Sequence, residues 1–193
     1  MIKKNWKKIC VIFFFVFLNK TGVTIEDSDI FLESVLFNAV KVSYYEKTSE
    51  FLEKGKATAN IIDSEGLLPI SYALKNDDET MYQILIKNGA DINKNILDKS
   101  SNLIFYIKRE RFKLLHNLIE DGVNLNFQDN TGMTALMHAI ENVNLEAIKV
   151  LIQNKKNLEL EISDYSGKTV FDYAEFSRNR FVKDLIKRLK TSN

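Results

Sequence analysis

Few groupings in this chain combine residue types that can do chemistry. His116 and His138 are the two histidines. They sit on separate apolar-periodic segments, with no His-Glu-x-x-His spacing that would aim two imidazoles at one metal. Asp77-Asp78 is the kind of carboxylate pair that could share a proton in acid-base catalysis. With Glu79 behind it, the pair reads more simply as the acidic start of a helix, where negative charge meets unpaired N–H groups. Asp91, Asn93, Asn124 and Asn126 offer the hard oxygen donors that calcium takes. They fall, however, in turns that leave helices, where Asp and Asn hydrogen-bond nearby backbone. Cys10 is the single cysteine, so no disulfide can form within the chain. No glycine-rich phosphate loop and no Gly-x-Ser-x-Gly elbow occurs. This inventory argues against an enzyme and calls for no cofactor, metal or small-molecule substrate.

The elements that carry these residues repeat. Leu85-Ile86-Lys87-Asn88-Gly89-Ala90-Asp91-Ile92-Asn93 is followed 33 positions on by Leu118-Ile119-Glu120-Asp121-Gly122-Val123-Asn124-Leu125-Asn126. Leu151-Ile152-Gln153-Asn154 then fills the same slot, with Lys155 in place of the glycine. Ile70, Leu103 and Leu136 keep the same period, as do Leu74, Ile107 and Ile140. A period of this size marks a stack of small units, none of which can bury its apolar face alone.

The best-formed unit begins Asp129-Asn130-Thr131-Gly132-Met133-Thr134-Ala135-Leu136-Met137-His138-Ala139. It resembles the ankyrin-repeat signature, a turn with Asp and Gly followed by Thr-Pro-Leu-His-x-Ala at the head of a helix. Asp63 to Ala73 is a second copy that keeps Pro69, and Asp164 to Ala174 a third, two residues late. The copy at Asp98-Lys99-Ser100-Ser101-Asn102-Leu103 lacks the glycine, and a degenerate opener fits a 34-residue step. The resemblance implies an all-α solenoid of about five helix-turn-helix units with short β-turn fingers. The units are expected at residues 29–62, 63–95, 96–128, 129–161 and 162–193. Gly66, Gly132 and Gly167 suit positive φ in the finger turns. Pro69 suits a first helical turn, Thr134 and Thr169 can cap helices, and Gly89 and Gly122 suit left-handed helix exits. Lys155 predicts a strained or lengthened exit. Residues 180–190 predict a closing helix with Phe181, Val182, Leu185, Ile186 and Leu189 on its apolar face.

In such a fold the finger tips and first helices line a concave groove where partners bind. Tyr72, Phe105, His138 and Tyr173 occupy one column of that face. Two readings of the column stand: an aromatic binding surface, or packing between repeats. Leu67 and Met133 are expected as exposed apolar tips, and Tyr165 as a third tip residue. Lys108, Arg109 and Arg111 come together in unit three, either as a basic spot within an acidic molecule or as an ordinary solvated helix end.

The N-terminal segment differs in kind. Lys3, Lys4, Lys7 and Lys8 precede an apolar run, Ile9 to Leu18, which resembles a signal peptide and is short for a membrane span. Residues 1–22 are therefore expected as a signal peptide or uncleaved anchor, with 23–28 as linker. Of 27 basic residues five lie in 1–20, leaving 22 against 26 acidic ones, a net of −4. That balance disfavours nucleic acid as the partner. The expectation is an exported, periplasmic or secreted, bacterial protein that binds another protein, touching a membrane only if the anchor stays. An immunity or accessory role toward a co-encoded enzyme or toxin is the specific form. A secreted effector engaging host proteins and an envelope scaffold are the alternatives.

Overall fold

A computed structural model describes residues 25–191; the expected signal peptide and the first two linker residues lie outside them. The described helices pair in chain order: α1 (Ile25–Lys41) with α2 (Tyr45–Glu53), α3 (Pro69–Asn76) with α4 (Glu79–Lys87), α5 (Asn102–Ile107) with α6 (Leu115–Glu120), α7 (Ala135–Glu141) with α8 (Leu145–Gln153), and α9 (Val170–Phe176) with α10 (Arg180–Thr191). First helices stack in a row, α1 on α3 on α5 on α7 on α9, and second helices stack behind them, α2 on α4 and α6 on α8. The described residues contain no strand. Isolated bridges, Ile96 to Ser100 and Ser163 to Thr169, close two of the fingers. This is the all-α ankyrin solenoid that the repeats imply. One correction falls at its start, where residues 25–28, expected as linker, are the first turn of α1.

Local chemistry explains where the helices begin. Pro69 opens α3, where its missing N–H leaves nothing unpaired. Thr134 caps α7 by accepting from Met137 N. Ser101 does the same for α5 with Ile104 N. At α9 the direction reverses, because Asp172 Oδ2 accepts from both Thr169 N and Thr169 Oγ1, at 2.8 and 2.7 Å. Asp78 caps α4 through Met81 N, which gives one half of the Asp77-Asp78 pair a helix-start role.

The units are tied by core and by a polar ladder. Leu36 in the second half of α1 and Ile70, Leu103, Leu136 and Val170 at the heads of the later first helices are all buried. Asn60, Asn93 and Asn126 each clamp the unit that follows. Asn60 donates to Gly89 O and accepts from Asp91 N; Asn93 donates to Gly122 O and accepts from Asn124 N; Asn126 donates to Asn157 O and accepts from Glu159 N. Asn93 and Asn126, read loosely as calcium-like, thus use their amides as staples between turns.

Departures from the repeat have visible consequences. Gly89 and Gly122 leave their helices at φ +79° and +84°, whereas Lys155 starts a 3-10 turn, Lys155–Asn157, that lengthens the exit. Unit three departs most. Tyr106 stands where Ala73 and Ala139 stand in the neighbouring units. Its buried hydroxyl donates to Asp77 and accepts from Leu114 N. The ring fills space an alanine leaves to the second helix, and α6 is six residues long against nine for α4 and α8. In α10, Val182, Ile186 and Leu189 are buried as expected. Phe181 is instead half-exposed, with Lys149 Nζ 5.5 Å from its ring centre.

Candidate functional site

The column of first-helix residues resolves into one recurring device. Tyr72 donates to Asp63 Oδ2 at 2.6 Å, His138 Nε2 lies 2.7 Å from Asp129 Oδ2, and Tyr173 donates to Asp164 Oδ2 at 2.7 Å. The other oxygen of each carboxylate holds the finger. Asp129 Oδ1 accepts from Thr131 N, Thr131 Oγ1 and Met133 N. Asp63 and Asp164 accept from the equivalent backbone N–H groups. One carboxylate thus locks a turn and pins it to the helix beneath. Tyr72 and His138 are buried and Tyr173 half-buried, so at these positions packing within and between repeats accounts for much of the column.

Titration follows the same bonds. Burial and the bond to Asp63 push the Tyr72 hydroxyl up to about 12. The bond from Tyr173 brings Asp164 down to about 2. Burial opposes the charge on Asp129, but hydrogen bonds from Thr131 and His138 outweigh it and hold the carboxyl below its usual range. Burial depresses His138, against the pull of Asp129. The neutral ring therefore carries its proton on Nε2, since a carboxylate oxygen can only accept.

The apolar tips need correction. Leu67 and Met133 are each 7 % exposed. The residue after the turn glycine points into the stack, where each has a folding purpose after all. Tyr165 is the exposed tip, at 75 %. Its backbone N donates to Thr131 O at 3.2 Å, and it covers Gly132 so closely that a Cβ there would meet Tyr165 N at 2.6 Å. Leu97, which the sequence reading passed over, does the same for unit two. It donates to Gly66 O at 2.9 Å and remains 58 % exposed.

Three clefts open between the fingers and the first helices. The first is lined by Phe37, Lys41 and Asp63, the second by Leu67, Leu97, Phe105, Lys108 and Arg109, the third by Glu141, Lys168, Tyr173, Phe176 and Arg178. The second cleft brings together four of the expected residues; Tyr173 lies in the third, and Tyr165 stands apart on its finger. Arg109 lies over the Phe105 ring, its guanidinium carbon 3.8 Å from the ring centre. Lys108 Nζ reaches Asp129 Oδ2 at 3.4 Å, and Arg111 pairs with Asp77 at 3.5 Å. Of the expected basic spot, Arg109 alone has no described carboxylate partner. Lys41, also unremarked in the sequence, repeats the Lys108 arrangement by reaching Asp63 Oδ2 at 3.3 Å. The nine-residue step from Asp to Tyr or His, and the Lys in the first helix before Asp63 and before Asp129, were the signals available for these networks.

No group of three or more His, Cys, Asp or Glu able to hold a metal occurs among the described residues. Comparison with known proteins matches the family described as "Ankyrin repeats (3 copies)" to residues 103–192. Neurogenic locus notch homolog protein 1 of Homo sapiens is 31% identical over 130 residues, 67% of this chain but 5% of that protein. An ankyrin repeat protein of Fowlpox virus (strain NVSL) is 32% identical over 107 residues, 55% of this chain and 25% of that protein. One from Acanthamoeba polyphaga mimivirus is 26% identical over 172 residues, 80% of this chain and 22% of that protein. The chain thus spans a small part of the relatives it matches.

Proposed function

The chain carries ankyrin repeats, and on that premise we propose that it is a non-catalytic module that binds another protein through the face lined by fingers and first helices. Ankyrin repeats are generally protein–protein interaction modules. The observation that carries the reading is the second cleft, where Phe105, Arg109 and Leu97 remain accessible between fingers locked by Asp63 and Asp129. A preformed surface of this kind loses little entropy on binding. Capture with the full chain, followed by cross-linking, tests it. Phe105→Glu is expected to lose the captured protein, and Lys156→Glu, exposed beyond α8, to keep it. Equal retention by both would sink the reading.

An exported location, periplasmic or secreted, is part of this proposal and rests on the basic and apolar run in residues 1–18. Its specific form is an accessory or immunity protein of a bacterium toward a co-encoded enzyme or toxin. Fractionation with N-terminal sequencing would show a shortened chain outside the cytoplasm; a full-length chain in the cytoplasm would refute export.

A further inference from the structure

Two fingers, at Asp63 and Asp129, combine a carboxylate with a ring nine residues on and a cation from the preceding first helix; the finger at Asp164 keeps the ring with Glu141 in the cation slot, and unit three lacks the carboxylate at the matching position. Lys41 at the end of α1 reaches Asp63 of the next finger at 3.3 Å, and Lys108 at the end of α5 reaches Asp129 of the next finger at 3.4 Å. Lys75 occupies the same slot at the end of α3, but the finger it faces carries Ile96 where the others carry Asp. Phe105, nine residues on, replaces Tyr or His, so no hydroxyl or imidazole is left without an acceptor. Position 96 has thus lost the anion that the matching fingers carry, while the cation slot is kept. In the cleft that Ile96 lines, Arg109 is ordered by stacking on Phe105, and its in-plane N–H groups have no described carboxylate partner. The described acidic groups lining this cleft are already engaged: Glu65 with Lys41 at 3.8 Å, and Asp129 with Lys108 and His138. Among the described residues Lys75 meets the face of Tyr72, 5.6 Å away.

We propose that the cleft over unit three takes an acidic segment of the partner protein, a carboxylate of that segment lying at Arg109 and Lys75 and an adjacent apolar side chain on Leu97. Stacked arginine is suited to this, because a guanidinium held flat on a ring presents its edge for paired bonds to a carboxylate. Exposed Leu97 supplies the apolar contact that lifts such a site above a bare ion pair. The proposal rests on the reading that this face binds protein, and it adds the chemistry of what is bound.

The test is selection of a random twelve-residue peptide display library on the full chain, with affinities of enriched peptides measured by calorimetry. Enriched sequences are expected to carry Asp or Glu next to an aliphatic or aromatic residue. They should bind Arg109→Glu at least tenfold more weakly and Lys156→Glu equally well, with the melting temperature of each variant confirming its fold. Peptides with no acidic preference, or acidic peptides indifferent to Arg109→Glu, overturn the proposal. If those peptides still weaken with Arg178→Glu in the third cleft, protein binding by this face survives. If nothing enriched competes on this face, both readings fall. Tighter binding of a single-stranded oligonucleotide than of any enriched peptide also overturns it.

Discussion

Units three and four lie side by side on the same fold and hold their shape by different means. Unit four locks its finger with Asp129, which ties Thr131, Met133 and His138 together and receives Lys108 from the unit before. Unit three has no such centre. Ile96 is buried, Phe105 packs against the core, and Tyr106 braces the second helix through Asp77 and Leu114. The hand of the turn survives nonetheless, because Lys99 takes the slot of Gly66 and Gly132 at φ +50°. Backbone geometry is set by the stack, and polar locks can be exchanged for apolar packing. The exchange leaves Lys75 and Arg109 without a carboxylate partner among the described residues.

Substitutions can break this comparison one piece at a time. Tyr106→Ala restores the residue that units two and four carry, yet it should destabilise most. A large ring leaves a cavity the shortened α6 cannot fill, and Leu114 N loses its acceptor, for a cost of about 4 kcal/mol. Denaturant unfolding measures it, and a neutral result would mean unit three tolerates its neighbours' pattern without its own brace. Asp129→Ala should cost about 3 kcal/mol, since it orphans several donors around a buried carboxylate. The loss should appear in unit four first, as faster hydrogen exchange at Thr131 and Met133.

Lys99→Gly should stabilise by about 1 kcal/mol, because glycine occupies the left-handed region without the side-chain penalty. The same change at an ordinary surface lysine in a helix would do the reverse. The smallest effect is a pH slope. His138 has a folded pKa below its unfolded one, so the unfolded state binds more protons and stability falls as pH drops below about 6.5. The carboxylates Asp63, Asp129 and Asp164 are also depressed and add their loss only in stronger acid, below about pH 4. His138→Tyr copies units two and five and should flatten the slope between pH 7 and 5, read from melting temperatures. An unchanged slope would place the titration elsewhere.

The repeat period, the finger glycines and the helix starts were legible because each reflects a local backbone demand. The groove face was legible in part. Phe105 and Arg109 were found, since a large aromatic and a cation at a helix end stand out against the repeat. Leu67 and Met133 were misplaced because hydrophobicity next to a turn glycine does not say which way the chain then points. Leu97 was missed for the complementary reason: its exposure depends on Gly66 of the preceding unit, a contact between repeats. Tyr106 was invisible as a brace, because its partners Asp77 and Leu114 come from two other turns.

The most direct test of the account installs the missing lock. Ile96→Asp with Phe105→Tyr gives unit three the pair that unit two carries, and supplies Lys75 with an internal carboxylate. Calorimetric titration of an acidic peptide enriched on the native chain should then show affinity reduced at least tenfold, with the melting temperature preserved. Undiminished affinity in a folded double variant would contradict the claim that unit three binds by accepting a carboxylate where its finger carries Ile96.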